Sequence, residues 1–540
     1  MEGENQDTLE RQMRLFKERA LPDLGSNIKC GNSLIGPDFY QGKQMDLLDR
    51  DEMYRINPFD WQKEFTEIMK RGGFDAVIGN PPYIRIQMMK EWAPIEVEIY
   101  KKNYASASKG NYDIYVVFVE RGLSLLNKSG HLGFILPHKF FNARYGEALR
   151  ALLSKRKHLA GVVHFGDQQV FAGATNYTCL LFLDKAGNKQ CHFVKVDDLT
   201  AWRINGESTE GKILATRVTS SEWNFTVGKA ADLFEKLNKV PVKLGDIAGR
   251  IFQGLVTGAD PVFILSDHSK GKYLSEATQQ LHRIESDLMH PLCKGSLNIR
   301  RYYVSELTKS ILFPYKYVEG KAELLTAKEL GESYPNAWEY LQINRTALES
   351  RERGKWKHNR WYAFGRSQNL NEMEQKKILT PSIAKSASFT LDSRDLYYFV
   401  GSGGGGGGGY GITLKSDEQM AYEYFLGLLN SNLLDAFLKS FSTPFSGGYF
   451  AYNRQYIEQL PIRTINFSDP ADEARHDKMV DLVEQMLTLH KHLAAVKTPD
   501  DKTRLQRQSD ATDQQIDRLV YELYGLTYKE IKIIEETPRS

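Results

Sequence analysis

From Asn27 to about Asp184, short apolar runs alternate with amphipathic stretches, the pattern of strands joined by helices around one sheet. The predicted strands are Phe74–Gly79, His131–Leu136, Leu159–Phe165 and Tyr177–Leu183. Helical spacing is predicted at about Tyr112–Leu126 and Phe140–Leu153. This part of the chain is therefore predicted to be an α/β domain.

After about Thr200 the regular alternation ends, and short strand-like runs mix with polar loops and glycines up to about Arg463. This stretch predicts an irregular α+β domain with its own core. Apolar residues at helical spacing return at Asp472–Val496 and Thr512–Ile534, separated by the charged stretch Lys497–Asp510. The predicted domains are residues 1–205, 206–465 and a C-terminal helical segment, 466–540.

Composition narrows the class of protein. The 540 residues are 41% hydrophobic and 26% charged, and the net charge is only +3, so any DNA-binding charge must be local. The four cysteines are far apart with no CxxC spacing, which argues against a disulfide scaffold or a thiolate zinc site, and no metal is expected. Without a signal peptide or a membrane-length apolar run, the sequence predicts a soluble cytoplasmic protein with no membrane partner.

The tetrapeptide Asn80-Pro81-Pro82-Tyr83 directly follows the strand Phe74–Gly79, at a strand's carboxyl end, where open α/β sheets place their ligands. Two prolines make a rigid loop whose carbonyls point outward, and the Asn80 side chain adds another acceptor. Two acceptors suit an NH₂ group, because accepting both N–H bonds favours the pyramidal geometry in which a nucleobase amine can attack a methyl group. A tyrosine beside them can stack on a base flipped out of a duplex.

This motif in its strand context resembles the catalytic motif of the gamma-class adenine-specific DNA methyltransferases, which use S-adenosylmethionine. The resemblance implies a Rossmann-like methyltransferase sheet in which Asn80 and the carbonyl of Pro81 accept from the adenine amine. Phe171-Ala172-Gly173-Ala174-Thr175 resembles a later motif, whose aromatic residue faces Tyr83 across the flipped base. Read without the resemblance, Phe171 fits a core position equally well.

Two further motifs imply cofactor contacts by the same resemblance. Asn27–Ile35 resembles the family's strand beside the cofactor's adenine and points to Asn32. Gly110–Tyr115 resembles a motif that opens a helix, with Asp113 and Tyr115 near the cofactor pocket.

The second half resembles a TaqI-type target-recognition domain in Ile251–Gly258, Gly447–Phe450 and Gln459–Ile462. The whole chain resembles the methylase and specificity half of Type IIG and IIL restriction-modification enzymes, and this implies double-stranded DNA as partner. Between Arg345 and Arg366, basic residues alternate with aromatic ones in a local patch suited to phosphates or guanine edges. The predicted DNA contacts are Arg351, Arg353, Lys355, Lys357, Arg360 and Arg366. The alternative is a solvated charged face.

One family element is missing. The glycine-rich cofactor loop that precedes the Asn27 strand in the family is not found in Met1–Leu24, and two strands that lie beside Phe74–Gly79 in the family's sheet are missing with it. We therefore expect either an N-terminal region of a longer protein or a separate upstream polypeptide to complete the sheet. Any nuclease would also have to lie there, since the sequence contains no nuclease motif.

Two alternative functions stay open: a non-catalytic DNA specificity portion of a bifunctional restriction enzyme, and a methyltransferase acting on protein glutamine or RNA.

Overall fold

The computed structural model describes residues 27–40, 54–171, 173, 177–394, 397–401 and 407–536. The chain divides into two units, Met1–Val227 and Gly228–Ser540. The division falls later than the predicted boundary at 205/206, because a strand at 209–214 still pairs with the first sheet and Trp223 packs in the first unit's core. Residues 466–540, predicted as a separate segment, belong to the second unit by contacts.

The first unit is built on one six-stranded sheet in the order β1-β2-β4-β3-β5-β6. Its strands are β1 Phe74–Gly79, β2 Leu126–Pro137, β3 Leu159–His164, β4 Thr178–Asp184, β5 Gln190–Lys195 and β6 Thr209–Leu214. β1 and β2 are parallel, β4 is antiparallel to both β2 and β3, and β3 and β5 are parallel. The carboxyl ends of β1, β2, β3 and β5 therefore lie at the same end of the sheet.

The helices of the first unit pack against this sheet. They are α1 Trp61–Glu64, α2 Thr66–Lys70, α3 Ile86–Trp92, α4 Pro94–Asn103, α5 Tyr115–Leu125, α6 Glu147–Lys155 and α7 Leu199–Asn205. α5 approaches β2 so closely that a Cβ on Gly122 would lie 2.7 Å from the Leu132 side chain. The apolar face of α5, including Val117 and Val119, is therefore buried in the core of the unit.

Two predicted elements differ from the structure. The predicted helix at Phe140–Leu153 begins as two short 3₁₀ turns, and α6 starts only at Glu147, because the Arg150 guanidinium donates to the carbonyls of Phe140 and Ala143. Asn27–Ile35 is not a strand: within the described residues its only bridge joins Asn32 to Pro58. A proline lacks the N–H that a continuing ladder requires.

β1 has an open edge. It pairs with β2 on one side, and no described strand pairs with the other. Along that strand Asp75, Ala76 and Ile78 are exposed, and Ile78 is 88% exposed. A parallel strand in an α/β sheet is ordinarily buried on both faces, so this exposure marks an incomplete sheet among the described residues.

Within the residues that the structure describes, the second unit has three sheets and two hairpins. A six-stranded sheet has the order β10-β9-β8-β14-β11-β20, a four-stranded sheet β19-β17-β21-β7 and a three-stranded sheet β18-β23-β22, and β12–β13 and β15–β16 are hairpins. The strands are β7 Ala248–Gln253, β8 Ile264–Ser269, β9 Lys272–Ser275, β10 Leu281–Arg283, β11 Met289–Cys293, β12 Ile299–Arg300, β13 Tyr303–Val304, β14 Lys309–Leu312, β15 Tyr315–Val318, β16 Lys321–Leu324, β17 Lys377–Pro381, β18 Ile383–Ala384, β19 Thr390–Asp392, β20 Tyr398–Phe399, β21 Gly409–Leu414, β22 Pro444–Phe445 and β23 Tyr449–Ala451.

The helices of the second unit lie between these strands and after them in the sequence. They are α8 Ala231–Asn238, α9 Leu244–Ile247, α10 Asp260–Phe263, α11 Gly295–Asn298, α12 Ala327–Ser333, α13 Pro335–Ile343, α14 Arg345–Glu349, α15 Arg351–Gly354, α16 Tyr422–Leu429, α17 Asn432–Phe441, α18 Arg454–Ile457, α19 Pro470–Ala495, α20 Pro499–Leu523 and α21 Tyr528–Glu535. The predicted charged linker at Lys497–Asp510 instead forms the first half of α20, because Pro499 and two acidic residues after it suit a helix start. None of the helices in the described part of the chain combines the length and the apolar composition needed to cross a membrane.

Candidate active site and nucleic-acid interface

The loop Asn80–Tyr83 lies at the carboxyl end of β1. Pro81 is buried, whereas Asn80 is exposed and its side chain makes no hydrogen bond with any residue that the structure describes. The Tyr83 hydroxyl donates to the Ile135 carbonyl of β2 at 3.1 Å, which fixes the end of the loop. The loop therefore presents a free amide oxygen on a rigid base.

The structure brings this loop and the predicted cofactor motif together. Ile86 N–H donates to the Tyr112 carbonyl and Ile114 N–H to the Ile84 carbonyl, each at 2.9 Å. The Tyr83 ring meets the Tyr115 ring edge-on, with centroids 6.4 Å apart. This pairing also explains why α5 begins at Tyr115 rather than at Tyr112, since the preceding residues are held in an extended bridge.

A chain of hydroxyls continues from this contact. Tyr145 Oη donates to Asp113 Oδ2 at 3.4 Å, and the hydroxyls of Tyr145 and Tyr115 are 2.9 Å apart. Burial raises the pKa of Tyr83 to about 12, and burial also raises the pKa values of Tyr115 and Tyr145. These phenols therefore stay neutral at physiological pH, and they can stack and donate hydrogen bonds but do not act as bases.

The remaining predicted site residues are not brought into direct contact with the loop. Asn32 N–H donates to the Asn57 carbonyl at 2.6 Å, and its side-chain oxygen accepts from Leu34 N–H at 3.1 Å. Phe171 is 38% exposed and forms no ring pair with Tyr83 in the described structure. The cofactor role of Asn32 and the base sandwich of Tyr83 with Phe171 stay predictions, and Ala172, Ala174 and Thr175 of the Phe171 motif lie outside the described residues.

Two histidines at the same end of the sheet, the buried His138 and the half-buried His164, were not predicted from the sequence. His138 directly follows β2 and His164 ends β3, and their ring centroids are 4.1 Å apart. Burial lowers the pKa of His138 to about 4 and the pKa of His164 well below its usual value. Their positions at the ends of predicted strands were a usable signal, but nothing in the sequence indicated that they meet.

We expect these histidines to make stability depend on pH. Because the pKa of His138 is lower in the folded state than its ordinary value of 6.5, the unfolded chain takes up a proton first as the pH falls. His138 should therefore cost about 2 kcal/mol of unfolding free energy between pH 7 and pH 5. Urea unfolding of the protein and of His138→Gln at both pH values would measure this; equal losses in the two proteins would contradict it.

Arg351 differs from the other predicted DNA contacts of the basic patch. This side chain is buried, and its guanidinium donates to the carbonyls of Leu348 at 2.8 Å, Thr257 at 3.0 Å and Ala363 at 2.9 Å, and to the Trp361 carbonyl. Burial lowers its pKa to about 10. Arg351 therefore binds backbone carbonyls of its own domain and does not belong to the exposed part of the patch. The patch's aromatic residues Trp361, Tyr362 and Phe364 are core residues as well.

The other predicted DNA contacts are exposed. Glu352, Arg353 and Gly354 have φ values of 49°, 62° and 84°, so the backbone turns sharply after Arg351. Arg366 pairs with Glu352 at 2.6 Å. The exposed residues of the patch are Arg353, Lys355, Lys357, Arg360 and Arg366. Their contact with DNA stays a prediction.

Comparison with known proteins defines the class. Residues 10–171 match the Eco57I restriction-modification methylase family, and residues 291–462 match the TaqI-like C-terminal specificity domain. The fold is similar to that of the Type IIL restriction-modification enzyme MmeI, solved in complex with DNA, with a TM-score of 0.57 and 12% identity over 89% of this chain and 58% of that one. The chain thus matches a restriction-modification methylase family in its first part and a TaqI-like specificity domain in its second, which confirms the predicted resemblance and fold class.

The chain is also similar in sequence to individual restriction-modification proteins. The chain is 29% identical to the Type II restriction enzyme and methyltransferase RM.Eco57I of Escherichia coli, over 97% of this chain and 52% of the relative. It is 25% identical to the Type II methyltransferase M.PaeR7I of Pseudomonas aeruginosa, over 87% of this chain and 73% of that protein. The chain is therefore homologous to restriction-modification methylases, and it spans about half the length of RM.Eco57I.

Proposed function

We propose that this chain carries the methyl-transfer loop and the sequence-reading domain of an adenine-specific DNA methyltransferase in a restriction-modification system. The observation that carries the proposal is the Asn80–Tyr83 loop at the carboxyl end of β1, with an exposed, unused amide oxygen at its start. The matches to a restriction-modification methylase and to a specificity domain support DNA as the substrate. They also favour DNA over protein glutamine or RNA, because a specificity domain serves to read DNA sequence.

In the proposed reaction the Asn80 side-chain oxygen and the Pro81 carbonyl accept the two N–H bonds of the adenine amine. With S-adenosylmethionine bound, the amine's lone pair, no longer delocalised into the ring, would form the N–CH₃ bond while the S–CH₃ bond breaks; the thioether would leave with the sulfur's electron pair, and the methylated amine would lose one proton to solvent. Tyr83, neutral and held by Ile135, stacks on the flipped base, and Phe171 covers its other face. Sequence is read by residues of about 206–465 through the major groove.

S-Adenosylmethionine, when bound, supplies the electrophilic methyl group. Asp113, which is half-buried beside the loop, and Tyr115 fit one side of such a cofactor, and Asn32 is proposed to reach its adenine. The described residues do not complete the site, since β1 is open at the edge where more strands would carry the glycine loop. We therefore propose that a preceding region of a longer protein, or a separate polypeptide, completes the sheet, and that any nuclease lies there too.

The decisive experiment is transfer of labelled methyl from S-adenosylmethionine to unmethylated duplex DNA, with the modified base identified. It is run with this chain alone and with the chain extended by its upstream region. Transfer to adenine supports the proposal, and transfer only with the extension supports a divided cofactor site. Specific DNA binding without transfer in either form would instead establish the second candidate, a non-catalytic specificity portion, which the open edge of β1 also favours. We place the protein in the cytoplasm, since its proposed substrate is DNA and its four cysteines are free thiols.

We expect the exposed basic residues to contact phosphates. Each residue that does so releases counterions, and replacing it with alanine should reduce the slope of log affinity against log salt by about 1. The variants are Lys355→Ala, Lys357→Ala and Arg360→Ala, with Lys529→Ala on α21 as an equally exposed control. Slopes that are unchanged in all three variants would favour the solvated charged face.

A further inference from the structure

His138 forms hydrogen bonds with both ends of the segment between β3 and β4, which carries Phe171. His138 N–H donates to the Tyr177 carbonyl at 3.3 Å, and its ring lies nearly parallel to the Tyr177 ring at 6.4 Å. At the other end of the segment, His138 Nε2 is 3.2 Å from the Gly166 carbonyl oxygen, to which it donates. His138 therefore bridges Gly166, near the start of the segment, and Tyr177, at its end.

His164 also forms a hydrogen bond with Gly166. Gly166 N–H donates to His164 Nδ1 at 3.1 Å, so the amide and the carbonyl of Gly166 each bond to a histidine. Gly166 has φ +56°, a left-handed conformation that a glycine adopts without strain. The two neutral rings thus fix the direction in which the chain leaves the sheet.

The residues between this turn and Phe171 are also fastened. Gln168 donates through Nε2 to the Asp197 carbonyl at 3.0 Å and accepts from Leu199 N–H at 3.4 Å. Arg203 Nη2 donates to the Val170 carbonyl at 3.3 Å, directly before Phe171. The Val170 side chain packs into a small separate core that contains Phe165, Val194, Val196 and Leu199. These contacts therefore hold the chain in place up to Phe171.

We propose that His138 and His164 are positioning residues that hold Phe171 in place for a flipped base, an inference that rests on the proposed function. A stacking wall helps catalysis most when its position is set before the base arrives, because ordering it later would consume binding energy. Two polar rings that each bond one backbone group of Gly166, its N–H and its carbonyl, do this more specifically than apolar packing, which does not fix a direction. The histidines act through Phe171 and do not contact the base.

The test compares His164→Leu, which removes the acceptor for Gly166 N–H, with His164→Asn, whose side-chain oxygen can accept from the N–H two residues on. His158→Leu is the matched control, since the buried His158 directly precedes β3 and its Nδ1 donates to a carbonyl, that of Asp184, at the other end of the strand from His164. Hydrogen exchange of residues 165–171 is measured in each variant. Methyl transfer to unmethylated DNA is measured in each variant with and without Phe171→Ala, in whichever form of the protein is active.

We expect His164→Leu to speed exchange in residues 165–171 and to lower kcat/KM about tenfold, with His164→Asn close to the parent protein and His158→Leu without either effect. In the Phe171→Ala background, His164→Leu should cost nothing further, because the residue through which it acts has gone. An equal loss in both backgrounds, or unchanged exchange, would overturn the proposal. If no form of the protein transfers methyl groups, the proposed function fails, and the exchange data alone still decide whether the histidines hold the loop.

Discussion

Replacing Asn80 with alanine is expected to lower methyl transfer to duplex DNA by about 10³-fold, within the range seen when one preorganised acceptor or donor is removed from a reacting group. The Asn80 side chain is exposed and makes no hydrogen bond with any other described residue, so its loss leaves the fold unchanged. DNA affinity should stay within about twofold, because contacts that position DNA lie elsewhere.

The measurement is single-turnover transfer with DNA binding measured in parallel. Asn80→Asp is the informative companion, since a carboxylate oxygen still accepts from the amine, and it should retain more activity than Asn80→Ala. Full transfer by Asn80→Ala would refute the proposed chemistry. Loss of DNA binding together with transfer would show that the substitution had disturbed more than the acceptor.

Replacing Arg351 with methionine is expected to lower the free energy of unfolding of the second unit by about 3 kcal/mol. Methionine fills much of the volume but leaves the carbonyls of Trp361 and Ala363 without the guanidinium donor, whereas the Thr257 carbonyl keeps the Gly365 N–H at 2.7 Å. The contact between the guanidinium and the Trp356 ring, 4.1 Å from the ring centroid, is lost as well. Arg351→Lys should not restore stability, because one ammonium group cannot reach all the carbonyls to which the planar guanidinium donates.

Urea unfolding would measure this loss, with Arg353→Met as the matched control. Arg353 is exposed and two residues away, so its substitution should change the unfolding free energy by no more than about 0.5 kcal/mol. The two arginines thus separate a structural role from a surface one within a single short segment. Equal stability of the two variants would mean that Arg351 is not held as described.

The methylase half of the chain was predictable because its signals are local. The apolar run Phe74–Gly79 predicts a strand without reference to distant residues, and the structure confirms it; the prolines after it predict a loop, and residues 80–84 have no regular secondary structure. The start of α5 could not be predicted, since it depends on a bridge between Arg85 and Asp113 that only the folded chain forms.

The burial of Arg351 within the basic patch could not be predicted for the same reason. A run of basic and aromatic residues looks identical whether it faces solvent or lines a core, and charged side chains are seldom fully buried. What allows burial here is a set of carbonyl acceptors, one of them Thr257, which is 94 positions away in the sequence. The meeting of His138 and His164 likewise follows from sheet order, which no local pattern encodes.

The open edge of β1 also affects how the protein behaves in solution. A strand with unpaired N–H and C=O groups is a template on which another strand can add, and natural proteins usually shield such edges with charge or proline. Here Asp75 is the one charged side chain on the strand, and the apolar Ile78 is 88% exposed. Unless another segment covers this edge, it is a site for self-association, and a second copy of the chain competes for it with the strand that would complete the sheet.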